Sequence, residues 1–124
     1  MNTQAILDAC TCKPGAYLNC PFGPGVVCAR LGKRIFAEVY LDKPWLTLCC
    51  EPQYGLAIRQ TYPETVRRGY HCPPSQQPYH NTIMLDGTVP DEVLLQMLDH
   101  SYERVLRCIT RAQRQAALEG KAGP

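Results

Sequence analysis

Apolar and polar positions follow two different periods along this chain. From Val26 to Leu31, Arg34 to Leu41 and Trp45 to Cys50, apolar residues recur at every second position or run together, which predicts strands. Gly32-Lys33 joins the first two as a two-residue turn with glycine leading, the pattern of a type II′ hairpin. Asp42-Lys43 turns the chain again, so the three strands form a meander. A tight turn fixes register, and register sorts the faces. One face carries Cys28, Ile35, Ala37, Val39, Leu41, Leu46, Leu48 and Cys50, and is expected to be the core. The other carries Val27, Leu31, Arg34, Phe36, Glu38, Tyr40, Trp45 and Thr47. Its mixture of aromatics and charge suits a partly covered face or a binding surface.

Elsewhere the period lengthens to that of a helix. Leu94, Leu98, Tyr102, Val105 and Ile109 recur at steps of three and four, giving one buried stripe on a last helix that runs to Leu118. Thr88 is its expected cap, Pro90 lies in its first turn, and Asp91-Glu92 complement its dipole. A first helix is predicted over Gln4–Thr11, capped by Thr3 and stopped by Lys13-Pro14-Gly15. Pro52 opens a central helix to about Tyr62, which Gly55 weakens and Pro63 ends. Cys20–Gly25 is a rigid loop, and a proline-rich loop spans Tyr70 to Tyr79. Asn81–Leu85 reads as a further strand closed by Asp86-Gly87, with Val66–Tyr70 as its partner. The pattern predicts a two-layer α+β domain. It holds an antiparallel sheet of about five strands with N-terminal, central and C-terminal helices, over residues 1–118, and 119–124 form a flexible tail.

Composition narrows the setting. With 124 residues, 45% hydrophobic and 19% charged, the chain suits one globular domain. No apolar run reaches the ~18 residues that would span a bilayer. The N-terminus lacks the pattern of a signal peptide, so a cytoplasmic protein without membrane contact is expected. Eight cysteines suggest a disulfide scaffold at first sight. Several sit inside periodic segments (Cys28, Cys49, Cys50, Cys108), where a reduced thiol acts as a small hydrophobe. Net charge is only +2, so nucleic-acid affinity has to come from how charge is distributed.

Arg104, Arg107, Arg111 and Arg114 follow steps of three, four and three, and on one continuous helix they form a narrow strip opposite the buried stripe. Such a row suits phosphate contact; a solvated helix face is the plainer reading. Lys33-Arg34 at the hairpin tip and Arg67-Arg68 beside Gly69 extend a candidate basic surface, since a β-ribbon can act as a wing against a groove or backbone. Phe36, Tyr40 and Trp45 are candidates to stack bases, or to dock a peptide or small planar ligand. No metal or cofactor is expected: Cys10, Cys12, Cys20, His71 and Cys72 lack zinc-knuckle spacing. No nucleophile motif or Walker loop is present, and His100-Ser101 diverge by about 100° on a helix, so a non-enzyme is expected. The loop around His71 and His80 is the weakest candidate for chemistry.

A set of short motifs adds to this. Pro21-Phe22-Gly23-Pro24, Gly32-Lys33, Phe36-Ala37, Gly69-Tyr70-His71, Asn81-Thr82-Ile83, Leu85-Asp86-Gly87, Pro90-Asp91 and Asp99-His100-Ser101-Tyr102 occur in that order. In order and spacing the chain resembles the MmcQ/YjbR family of small bacterial proteins. The resemblance implies a fold similar to secretion chaperones and a DNA-binding role through a double-wing motif. Where the family usually carries lysines and a tryptophan before the Asn-Thr strand, this chain has Gln76-Gln77-Pro78-Tyr79-His80.

Overall fold

In the computed structural model, which describes residues 1–119, four helices accompany a six-stranded antiparallel sheet. The elements are α1 (Thr3–Thr11), β1 (Tyr17–Asn19), β2 (Val26–Leu31), β3 (Arg34–Tyr40), β4 (Trp45–Cys49), α2 (Pro52–Thr61), β5 (Val66–Arg68), β6 (His80–Met84), α3 (Asp91–Cys108) and α4 (Arg111–Leu118). A 3-10 turn at Gln77–Tyr79 leads into β6. Strand order is β1-β2-β3-β4-β6-β5. The meander and the β5–β6 pair match the sequence pattern; β1 is an additional three-residue edge strand. The expected tail, apart from Glu119, lies outside the described residues.

Gly32 takes a φ of +60° at the first turn position, which lets the β2–β3 hairpin close with Leu31 opposite Arg34. Arg30 then faces Ile35, but Ala29 faces Ala37, so Phe36 is the extra residue of a β-bulge. The bulge corrects the predicted faces. Phe36 enters the core, 1% exposed, with its ring edge-on to Tyr102 at 5.5 Å and 85°. Leu31 is also fully buried in the core, while Cys28 turns to the opposite face across from Glu38. Leu41 lies beyond the end of β3 and is 51% exposed.

Helix ends differ from expectation in three places. Asn2 caps α1 by accepting from the Ala5 N–H at 2.9 Å, and Thr3 is its first residue. Pro90 stands at the cap of α3 with no side-chain cap bond, and Thr88 lies in the preceding turn, where its N–H donates to Asp86 Oδ1 at 2.9 Å. The expected single last helix is two helices. Ile109 and Thr110 are extended, with ψ of 159° and 161°, and Thr110 caps α4 in a reciprocal capping box with Gln113.

Four consecutive residues of α3 tie the layers together, because successive helical positions point about 100° apart. Asp99 pairs with Lys13 after α1. His100 Nε2 accepts the Glu51 N–H at 3.0 Å at the start of α2, and its ring stacks on Tyr54. The Tyr102 hydroxyl donates to the Pro14 carbonyl at 2.6 Å. Ser101 reaches the sheet. The β3–β4 ladder ends at Ala37 opposite Leu48, and the strands then part. There the Ser101 hydroxyl accepts from the Cys49 N–H at 3.0 Å and donates to the Phe36 carbonyl at 2.5 Å, replacing the next bond of the ladder.

Candidate nucleic-acid interface

The sheet face turned away from α3 carries the aromatic residues that remain after Phe36 is removed. The β3–β4 turn sets Tyr40 beside Trp45, with ring centroids 5.9 Å apart at 72°. Lys43, in that turn, places its ammonium 4.5 Å from the Trp45 ring centroid. On the other side of β4, Met84 of β6 stands opposite Trp45, and Thr82 opposite Thr47 with their hydroxyls 2.9 Å apart. Edge strand β5 then brings Arg67 opposite Thr82 and Arg68 opposite Asn81. After β5 the Gly69 N–H donates to the His80 carbonyl at 2.9 Å, and the chain folds back over this face. His71 Nε2 thereby reaches 4.0 Å from Glu38 Oε1. The result is a cleft of about 300 Å³ lined by Tyr40, Trp45, Arg67, Arg68, Tyr70, His71, Thr82 and Met84.

Its charge is mostly positive. Arg67 and Arg68 are exposed, and among the described residues neither is paired with a carboxylate. Glu38 is the acid that meets His71 here. Burial pushes its carboxyl up from 4.5, and the charge of His71 works against that rise. Burial, followed by the Glu38 charge, also raises the Tyr40 phenol, so it stays protonated and available as a donor.

The sequence-derived basic sites divide into three groups. Arg67 and Arg68 join Tyr40 and Trp45 in the cleft. Lys33 and Arg34 line a different cavity together with Arg104. The helix row does not form. Arg104 and Arg107 both contact Glu51 Oε1, at 3.3 and 3.4 Å, while Arg111 and Arg114 belong to α4. Arg114 is further engaged, donating from Nε to the Leu106 carbonyl at 3.1 Å near the end of α3. Phe36 lies inside the core, away from the aromatic pair on the open face. Lys43, Tyr70, His71 and Met84 were not assigned to a nucleic-acid surface from sequence. Of these, Tyr70 and His71 left a legible signal as part of the Gly69-Tyr70-His71 motif, and the structure leaves Tyr70 71% exposed.

All eight cysteines are free. Burial pushes the Cys10 thiol up to about 12 and those of Cys28 and Cys50 up to about 11, which keeps them protonated and unreactive. Cys72 Sγ lies 3.5 Å from His71 Nε2, yet among the described residues no three His, Cys, Asp or Glu side chains are grouped to hold a metal ion. No described helix is long and apolar enough to cross a membrane.

Comparison with known proteins places this architecture. The YjbR family model matches residues 12–104. The chain belongs to the YjbR family. Uncharacterized protein YjbR of Escherichia coli K12 is 23% identical over 121 residues, covering 96% of this chain and 99% of that protein. The crystal structure of Deinococcus radiodurans protein DR2400 superposes with a TM-score of 0.84 at 27% identity, covering 94% of this chain and 87% of that one. A Pseudomonas syringae protein shares the fold, with a TM-score of 0.68 at 16% identity, over 84% of this chain and 98% of its own. In this YjbR-family chain the Gln76–His80 segment, which stands where the family usually carries lysines and a tryptophan, packs beside α2, and none of its residues lines the cleft. The Tyr79 ring lies under the Arg104 guanidinium at 4.8 Å.

Proposed function

We propose that this YjbR-family chain is a non-catalytic DNA-binding protein that receives a single strand on its open sheet face. One observation carries the reading: Tyr40 and Trp45 share a cleft with Arg67 and Arg68, two cations with no carboxylate partner among the described residues. Single strands are held by bases stacking on aromatic rings while cations track the phosphates, and each stacked base is worth about 1–3 kcal/mol. Unstacked bases fit such a cleft; a duplex hides their faces. A non-catalytic role accords with where the polar groups of α3 are used. His100 accepts a backbone N–H and Ser101 bridges two strands, so neither is free to act as base or nucleophile.

Anisotropy titrations of labelled single-stranded and duplex DNA at two salt concentrations test this. The single strand binds more tightly. Trp45→Ala weakens binding by about 1–3 kcal/mol. Arg67→Ala with Arg68→Ala flattens the salt dependence by about 0.7 in log–log slope for each phosphate released. Arg107→Ala changes little, because Arg107 already serves Glu51. Absence of binding, or binding indifferent to both cleft variants, refutes the reading. Met84 opposite Trp45 gives the cleft an apolar side that also suits a peptide side chain or planar ligand. Tight binding of such a ligand, with none of DNA, favours that second reading.

A further inference from the structure

A second cavity, about 240 Å³, opens where β3 and β4 part, and it shares no lining residue with the Trp45 cleft. Lys33 and Arg34 enter it from the hairpin tip, and Arg104 enters from α3. Lys33 and Arg34 are neighbours in the sequence, Arg104 is distant from both, and the two groups are held in place by different means. The Tyr17 hydroxyl donates to the Gly32 carbonyl at 2.6 Å, and Arg30 Nη2 donates to the Lys33 carbonyl at 2.5 Å. Both bonds fix the main chain of the tip and leave the Lys33 and Arg34 side chains unengaged. Among the described residues neither is paired with a carboxylate. Arg104 is positioned from two sides, by Glu51 Oε1 at 3.3 Å and by the Tyr79 ring.

Glu51 is the one carboxylate engaged here, and Arg107 shares it. The cavity therefore keeps an excess of about two positive charges, which a dianion neutralises better than a monocarboxylate. Two guanidinium forks and an ammonium match the tetrahedral oxygens of a phosphate. Ile35 and Val105 add apolar wall beside them. The volume falls below the roughly 300–1,000 Å³ of pockets that enclose drug-sized ligands, so the occupant is small.

We propose that this cavity binds a small phosphomonoester, its phosphate held by Lys33, Arg34 and Arg104 and its organic group against Ile35, Val105 and Tyr79. The site stands independently of DNA binding at the other cleft. Calorimetric titration of the full chain at fixed ionic strength, with inorganic phosphate and with phenyl phosphate, is the test. Both bind saturably at one site, and phenyl phosphate binds several-fold more tightly because it alone reaches the apolar wall. Lys33→Ala with Arg34→Ala weakens both by roughly tenfold or more, since hydrogen bonds to charged groups are lost. These exposed tip side chains are not part of the core, so the melting temperature of that variant is unchanged and confirms that it is folded. Trp45→Ala leaves both affinities as they were. Non-saturable binding, equal affinity for the two ligands, or undiminished binding in the tip variant overturns the proposal.

Discussion

Ser101 shows how one hydroxyl can carry a structural load that no apolar residue could. It is fully buried, and it satisfies the Phe36 carbonyl and the Cys49 N–H where the two strands separate. Ser101→Ala leaves both groups without partners, at about 1–3 kcal/mol each, and urea denaturation should show a loss of roughly 2–6 kcal/mol. The histidines add a pH dependence. Burial lowers His100 below 6.5, with Arg107 and Arg104 contributing and Glu51 opposing. Burial, then His71 and Arg104, lowers His80 in the same direction. The unfolded chain takes up these protons near the ordinary value, and the folded protein takes them up only below it. Stability therefore holds above about pH 6.5, falls as pH drops through and below that point, and levels off once the folded imidazoles are protonated. For His100 the proton also displaces the Glu51 N–H from Nε2. Thermal melts in steps from about pH 7.5 to 5 should show this decline, and a flat profile would contradict it.

At the scale of elements, glycine inside α2 is a matter of contact as well as propensity. A Cβ on Gly55 would stand 2.5 Å from Cys50 Sγ and 3.4 Å from Asn81 Nδ2, the group that donates to the Gly55 carbonyl. Gly55→Ala gains about 1 kcal/mol of helix propensity but overpacks a site where such changes cost about 1–3 kcal/mol. A net loss of stability on chemical denaturation is expected; a gain would mean that α2 can move off β6. The elements themselves were largely legible in the sequence. Alternation marked β2, β3 and β4, the glycine-first turn fixed the hairpin, and the three- and four-residue steps marked α3. What failed did so for identifiable reasons. A bulge inserts one residue without changing composition, so nothing in the alternation announced that Phe36 would point inward. The break after α3 was signalled, because Thr110 and Gln113 have capping-box spacing. The arginine steps that run across it gave the impression of one unbroken helix. β1 has three residues, too few for any period to show.

Over the whole molecule, the net charge of +2 says little, because placement decides which cations are available. Arg104 and Arg107 meet Glu51, Arg114 serves a helix carbonyl, and Arg67, Arg68, Lys33 and Arg34 remain without acidic partners among the described residues. Which arginines would be paired was not readable from sequence, since Glu51 is more than fifty positions away from the helix residues it joins. The aromatic half of the site was readable: Tyr40 and Trp45 flank a tight turn and had to be neighbours. Trp45 is also the single tryptophan of the chain, so its emission reports on the cleft alone. The most direct measurement is its fluorescence during titration with single-stranded DNA, for the parent chain and for Arg67→Ala with Arg68→Ala. Saturable quenching that weakens with added salt, and that shifts to higher DNA concentration in the double variant, is the predicted result. Emission unchanged at saturating DNA, with DNA bound, would place the contact elsewhere and contradict the assignment of the open sheet face.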